Sequence, residues 1–208
     1  EACAEHAALL VGGNLARAPE VTLAVTLVGD VAPGRAVTRA GARPGDVVVV
    51  TGELGSAAAG RRLAAAPSGS WDDPDRDAIR RAHRPRARVG EGRLLAAHGA
   101  TAMIDVSDGL ARDLLRLCDA SGVGVRLRLS DLPAGPRASD DEVLGGGEDY
   151  ELLATLPPER VDGARAAVGE TFAVPLTPVG AIAAEGRLAV DAEGVERPLV
   201  PAGWDHFA

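Results

Sequence analysis

The stretch MIDVSDGLARDL, from Met103 to Leu114, changes from a strand pattern to a helix pattern within a few residues. Apolar residues lead up to Asp105, a polar turn follows, and apolar residues then recur at helical spacing. We therefore expect a strand that ends at Asp105 and a helix over residues 109–120. Oxygen-bearing side chains at a strand-to-helix turn indicate either a helix cap or a metal site.

The residue types of this turn fit both interpretations. Ser107 or Asp108 can act as the N-cap, accepting a hydrogen bond from a free amide of the first helical turn. Asp105 and Asp108 can instead bind Mg²⁺, which takes one or two carboxylates together with phosphate oxygens and water. The spacing leaves both interpretations open, and one residue can serve in both roles. Asp105, which precedes the cap, is harder to explain as a structural residue.

The elements on either side of this turn predict the fold class. Val21–Val28 alternates β-branched and aliphatic residues as a strand does, and Val47–Thr51 is a short apolar run typical of a buried strand. Helix and strand patterns then alternate, and VGAIAAEGRLAVD (179–191) is expected to form a two-stranded hairpin that turns at Glu185–Gly186. This order predicts an α+β fold, a mixed β-sheet with helices packed on it in a layered α/β/α arrangement.

The composition excludes several classes of protein. The 208 residues carry a net charge of −8, which argues against a general binder of nucleic acid or anionic membrane, because the phosphate backbone attracts clustered cations. The arginine-rich run Arg80–Arg93 is accordingly interpreted as a solvated loop and the start of a helix. No apolar run approaches the roughly 20 residues of a membrane-spanning helix. Cys3 and Cys118 suggest no disulfide framework, which fits a cytoplasmic protein.

Three further stretches are rich in glycine. LGGGEDYELL (Leu144–Leu153) places Glu148 and Asp149 after glycines that let the backbone approach a ligand, although a flexible turn is equally consistent. VGGNLARAPE (Val11–Glu20) could contact phosphate or simply end a helix. GSAAAGRR (Gly55–Arg62) is close to the P-loop spacing but has arginines where Lys and Ser or Thr belong, so we reject it as a P-loop.

The order of these motifs resembles a known family. GGN, TRAGARPGD, VTGELG, HRPRARVGEG, IDVSDGL, GGGEDYELL and GWDHF follow one another as in the C-terminal two-thirds of thiamine-monophosphate kinases. That family belongs to the superfamily of aminoimidazole-ribonucleotide synthetase and selenophosphate synthetase. The resemblance implies transfer of the γ-phosphoryl group of ATP to thiamine monophosphate, with Mg²⁺ ions, in a cytoplasmic homodimer. Such chemistry needs positioning and charge neutralisation, and no residue is predicted with certainty to be catalytic.

The resemblance also assigns residues to each ligand. It implies Mg²⁺ binding by Asp105, Asp108 and Asn14, ATP contacts from Gly13, Asn14, Arg39 and Ser107, and thiamine substrate contacts from Glu148 and Trp204. An aromatic face beside a cationic thiazolium is physically reasonable. Trp204 could instead fix the C-terminal segment to the rest of the domain.

Two departures from the family bear on activity. Asn14 stands where the family has an Asp in GGD, and a neutral amide is a weaker ligand for Mg²⁺. The family's N-terminal domain, with further Mg²⁺-binding acids and much of the dimer interface, is represented only by its end, over residues 1–31, before a C-terminal α/β domain over 32–208. We therefore expect this chain alone to be catalytically incompetent.

Two alternative functions stay open at this point. The chain could belong to another ATP-dependent enzyme of the superfamily that acts on a different acceptor. It could also be a non-catalytic relative that binds nucleotide or assembles with a partner.

Overall fold

The computed structural model describes residues 2–66 and 71–205. The chain divides into two units, Glu1–Ala36 and Val37–Ala208. The first unit holds one short helix, α1 (Ala2–Glu5). The expected strand at Val21–Val28 is wrong, and its apolar side chains are exposed. A strand forms only where a neighbouring strand pairs with its amides and carbonyls, and the described residues give this segment no such partner.

The second unit is a mixed sheet with helices. Its described strands are β1 (Val47–Thr51), β2 (Ala102–Asp105), β3 (Gly124–Arg128), β4 (Leu152–Leu156), β5 (Leu176–Ala183), β6 (Arg187–Val190) and β7 (Glu196–Pro198). Its described helices are α2 (Ser56–Ala65), α3 (Asp73–His83), α4 (Val89–Ala97), α5 (Leu110–Ser121), α6 (Asp140–Gly145) and α7 (Pro158–Phe172), with a 3₁₀ turn at Leu129–Asp131. The strand order is β2-β4-β1-β5-β3-β6-β7. Only β3 and β6 pair in parallel among the described strands, so the predicted mixed α+β sheet is confirmed.

The predicted hairpin of β5 and β6 is wrong. The two strands lie on opposite sides of β3, which pairs antiparallel with β5 and parallel with β6. The turn at Glu185–Gly186 crosses the start of β3, where the Val125 amide donates to the Gly186 carbonyl at 2.8 Å. Gly124 permits this close crossing, because a Cβ there would lie 2.2 Å from the Gly186 oxygen. Local turn chemistry therefore predicted the bend correctly and the pairing incorrectly.

Side chains alternate across the sheet into two cores. Val48 and Val50 of β1 are buried in the cluster that contains Leu114 of α5, whereas Val49 is buried in the cluster with Leu95 of α4 and with α7. This alternation follows from the two-residue period of a strand, and burial on both faces explains the continuous apolar run of β1. The sheet thus lies between helices on its two faces, as the layered arrangement predicted.

The sequence predicts a polar loop over Ser130–Leu144 and only a short helix within Trp71–Pro85, and the structure has a more extensive helix in each place. The residues SDDE at the start of α6 form a capping box, in which the side chains of Ser139 and Glu142 each accept a hydrogen bond from the other's backbone amide. α3 likewise begins with a capping box between Asp72 and Asp75, and it is longer than the short helix expected there. Among the residues that the structure describes, no helix is long and apolar enough to cross a membrane.

Candidate functional site

The turn after β2 is fixed by pairing with the segment before β4. The Val106 amide donates to the Glu151 carbonyl at 2.8 Å, and the Val106 carbonyl accepts from the Tyr150 amide at 3.0 Å. Val106 is buried, whereas the preceding Asp105 is exposed at the end of β2. The structure therefore holds the backbone rigidly while it leaves the Asp105 carboxylate accessible.

Asp113 shapes the turn from within α5. Its Oδ2 accepts from the Ser107 amide at 3.0 Å and from the Asp108 amide at 2.9 Å. Its side chain is fully buried, and this burial raises the pKa of the carboxyl, although hydrogen bonds from the two amides and Arg116 oppose the shift. The N-cap position of α5 is Gly109, with φ 120°, so neither Ser107 nor Asp108 occupies the cap. The cap interpretation is wrong, because the helix begins after Gly109 and no side chain caps it.

Arg116 links the two aspartates of this region. Its guanidinium donates to Asp108 Oδ2 and, at 2.8 Å, to Asp113 Oδ1. The hydrogen bond to Asp108 is the main reason that the pKa of Arg116 is raised. The Asp108 carboxylate therefore belongs to a partly buried cluster of three charged side chains, together with Arg116 and Asp113.

The glycine-rich loop packs directly against the turn. A Cβ at Gly109 would lie 2.9 Å from the Gly145 Cα, and one at Gly147, where φ is +64°, would lie 2.7 Å from the Ser107 carbonyl oxygen. The Glu148 amide donates to that same carbonyl at 2.8 Å. Glycine is required here because two backbones are in contact. The structure thus brings together two motifs that lie far apart in the sequence.

Glu148 is held in a conformation that few non-glycine residues adopt. Its φ is +60°, and its exposed carboxylate forms an ion pair with Arg61. Arg61 also donates to the Gly146 carbonyl at 2.8 Å. Arg61 belongs to GSAAAGRR, the stretch that resembles a P-loop only in spacing, and no local pattern indicates its contact with the glycine-rich loop.

Asp149 caps α2 from a distance in the sequence. Its carboxylate accepts from the Gly55 amide at 2.7 Å and from the Ala57 amide at 3.1 Å. Burial raises the pKa of this carboxyl to about 6, even though both amide bonds favour the charged form. The two acids that follow the glycines therefore have different surroundings. Glu148 is exposed, whereas Asp149 accepts hydrogen bonds from the N-terminus of a helix.

The following acid, Glu151, belongs to a buried network. It accepts from the Thr51 hydroxyl and from Arg88 Nε, each at 2.7 Å, and Arg88 also pairs with Glu91 at 3.1 Å. Gly52 leaves room for this carboxylate, because a Cβ there would lie 2.2 Å from Glu151 Oε1. Buried charges require such pairing, so these residues have a structural role that the sequence did not reveal.

The C-terminal segment completes the cluster. The Trp204 amide donates to the Asp108 carbonyl at 2.9 Å, and the Trp204 side chain is 66% exposed. Gly203, with φ +121°, allows this contact, because a Cβ there would lie 1.9 Å from the Asp108 oxygen. Arg112 pairs with Asp205 at 3.0 Å. The last two letters of the motif GWDHF, residues 206 and 207, lie outside the described residues.

The remaining predicted residues belong to the first unit and to the segment that follows it. Gly13 and Asn14 are exposed in the first unit. Arg39 is an exposed residue of the second unit whose carbonyl accepts from the Ser121 hydroxyl at 3.0 Å. The neighbouring Thr38 carbonyl accepts from the Met103 amide at 2.9 Å, so this segment runs along the free edge of β2.

Comparison with known proteins shows which family this chain belongs to. A model of the family described as AIR synthase related protein, C-terminal domain, matches residues 43–193. The thiamine-monophosphate kinase of Halobacterium salinarum is 38% identical, over 99% of this chain and 68% of the relative. The chain belongs to the thiamine-monophosphate kinase family.

Solved structures of this family share the fold. The thiamine-monophosphate kinase of Stenotrophomonas maltophilia K279a superposes with a TM-score of 0.71 at 31% identity, over 82% of this chain and 56% of that chain. A complex of AaThiL with AMPPCP and TMP superposes with a TM-score of 0.68 at 31% identity, over 82% of this chain and 54% of that chain. The chain therefore spans little more than half the length of these solved family members.

The carboxylates of the turn fit Mg²⁺ in one limited way. Among residues 2–66 and 71–205, no group of three or more His, Cys, Asp or Glu side chains is arranged to hold a metal ion. Asp105 and Asp108 instead offer two hard oxygen donors, which suits an ion completed by phosphate oxygens and water. These two donors thus suit the Mg²⁺ that the resemblance implies, with the remaining ligands supplied by groups other than these side chains.

Proposed function

We propose that the full protein transfers the γ-phosphoryl group of ATP to thiamine monophosphate and forms thiamine diphosphate. The observation that carries the proposal is the meeting of three motifs at one turn. Ser107 accepts from the Glu148 amide at 2.8 Å, and Asp108 accepts from the Trp204 amide at 2.9 Å. The proposed metal-binding and substrate-binding residues are thereby joined through their backbones, in a chain whose curated relatives are named thiamine-monophosphate kinases.

In this proposal the residues of the turn have distinct roles. Asp105 and Asp108 would hold Mg²⁺, which when bound neutralises charge on the phosphates. Asp113 keeps the Ser107 and Asp108 amides in place, so the turn does not need to reorganise. Fixed charges and dipoles of this kind are the main means by which a protein accelerates phosphoryl transfer.

The thiamine substrate would lie against Glu148 and Trp204. Both side chains are exposed, and a carboxylate beside an aromatic face suits the positively charged thiazolium ring. ATP would be contacted by Ser107 and Arg39, together with Gly13 and Asn14. The complex of AaThiL with AMPPCP and TMP supports this pair of ligands.

Three further points belong to the same proposal. The full protein would act as a homodimer in the cytoplasm. It would require Mg²⁺, with Asn14 as a weaker ligand than the family's Asp. Because the chain covers 68% of the Halobacterium salinarum relative, the 208 residues alone would not catalyse the transfer.

Substitution of Asp105 tests the proposed reaction. In the full-length protein, Asp105→Asn is expected to lower kcat for thiamine diphosphate formation at least about 100-fold, because it removes a metal carboxylate. The fold should be unchanged, since Asp105 is exposed, and far-ultraviolet circular dichroism would check this. Asp162→Asn, an exposed acid of α7, is the matched control and should retain activity. Full activity of Asp105→Asn, or preference for an acceptor other than thiamine monophosphate, would contradict the proposal.

A further inference from the structure

We infer that Arg116 sets the metal affinity of this turn by competing with a divalent cation for the Asp108 carboxylate. The inference rests on the proposed function, because it takes Asp108 to be a metal ligand. It adds a residue to which the family resemblance assigned no role.

The contacts of Arg116 place it between two acids of unequal burial. Its guanidinium binds Asp108 Oδ2 and, at 2.8 Å, Asp113 Oδ1. The Asp113 side chain is 0% exposed and that of Asp108 13%, whereas the Arg116 side chain is 38% exposed. The arginine is therefore attached firmly on its inner side and reaches Asp108 from the solvent side.

The two acids differ in their access to solvent, since only Asp108 retains any exposed side-chain surface. Both oxygens of Asp113 are engaged, one by Arg116 and the other by the Ser107 and Asp108 amides, and the side chain has no exposed surface. Asp108 is the acid that lies at the turn beside the exposed Asp105. A divalent cation can thus approach Asp108, while Asp113 retains the guanidinium.

Electrostatic repulsion by Arg116 weakens the binding of a divalent cation to Asp108. A divalent ion at Asp108 would lie close to the positive guanidinium, and like charges at short range repel each other in a partly buried site. Metal binding therefore has to displace Arg116 from Asp108 or accept that repulsion. A weaker metal site of this kind would fill mainly when phosphate oxygens arrive with the ion.

Direct titration of the full chain with Mn²⁺ tests this inference without any turnover. Free Mn²⁺ would be measured by electron paramagnetic resonance in the absence of nucleotide, with Mg²⁺ added afterwards as competitor. Arg116→Gln is expected to lower the Mn²⁺ dissociation constant about two- to fivefold, which matches the usual strength of one partly exposed ion pair. Arg116→Lys keeps the charge and should return the constant toward the wild-type value.

Two controls separate the possible outcomes. Arg112→Gln removes a neighbouring cation of α5 that pairs with Asp205, and it should change the constant by less than about 1.5-fold. Asp108→Asn should abolish the binding that responds to Arg116. If Mn²⁺ binding is independent of Asp108, both the proposed metal site and this inference are wrong. If binding depends on Asp108 but Arg116→Gln leaves it unchanged or weakens it, the inference alone is wrong.

Discussion

At the scale of single residues, the acids of this chain differ by their surroundings more than by their sequence context. Asp105 is exposed, Asp113 is fully buried, and Asp149 caps a helix that begins far away in the sequence. Chemically identical side chains are therefore an accessible carboxylate, an internal brace and a helix cap.

Asp113 is expected to contribute strongly to stability. Asp113→Ala would leave the partly buried Ser107 and Asp108 amides without their acceptor, which should cost about 2–3 kcal/mol of unfolding free energy. Asp119→Ala, in the same helix, removes an exposed partner of Arg187 and should cost less than about 0.5 kcal/mol. Urea denaturation measures both values, and equal losses would contradict the bracing role.

Asp149 should make stability depend on pH. Its pKa of about 6 in the folded chain lies above the ordinary value, so the folded chain retains a proton that the unfolded chain releases at lower pH. The contribution of Asp149 to the unfolding free energy is fully present below about pH 4 and is lost as the pH rises through about 6. The unfolding free energy of the wild type, minus that of Asp149→Asn, should fall by on the order of 2 kcal/mol across this window.

Glu142 provides the control of opposite sign. Its hydrogen bonds with Arg62 lower the pKa of this carboxyl to about 2, so its contribution is present above the ordinary value and is lost as the pH falls toward 2. The difference between the wild type and Glu142→Gln should therefore rise with pH over the acidic range. Parallel pH profiles for the two variants would show that one of the assigned surroundings is incorrect.

At the scale of elements, close backbone contacts determine which glycines are required. α2 packs against α3 at Gly60, where a Cβ would lie 2.1 Å from the Ala78 carbonyl oxygen. The arginine-rich run of α3 and the following segment is likewise explained by contacts, because Arg80, Arg81 and Arg88 each pair with acids.

Gly60 and Gly169 should respond oppositely to alanine. Helix propensity alone favours alanine at both positions by roughly 0.5–1 kcal/mol. Gly169 of α7 has open space around it, so Gly169→Ala should show that gain. Gly60→Ala should instead lose about 2–4 kcal/mol, because the methyl group forces two helices apart. Thermal denaturation of the two variants checks this, and a stabilised Gly60→Ala would refute the packing.

At the scale of the whole molecule, the core of Val37–Ala208 is built from its own side chains. Both buried clusters draw their members from Ala42 onward. The segment before Ala42 still matters at the sheet edge, since Thr38 accepts from the Met103 amide and Ser121 accepts from the Ala42 amide.

Two truncations should separate the units. Removal of residues 1–36 is expected to change the unfolding free energy by less than about 1 kcal/mol, because no core side chain is lost. Removal of residues 1–42 should cost about 2 kcal/mol more, since buried Ala42 and the cover of β2 are lost. Chemical denaturation followed by circular dichroism measures both, and a large loss from the shorter truncation would contradict the independence of this core.

The sequence by itself determined the local elements and the family. Apolar runs specify β1 and β2, helical spacing specifies α5, and the motifs around Asp105, Glu148 and Trp204 specify the relatives, because all of these are short-range patterns. The assignment of ligands to these residues stays a prediction.

Only the tertiary structure decided how these elements are joined. The insertion of β3 between β5 and β6, the absence of a strand at Val21–Val28, and the engagement of Asp113, Arg116 and Arg61 at the turn all depend on partners distant in the sequence. A strand or a buried charge is stable only with its partner in place, and no local pattern records which partner that will be.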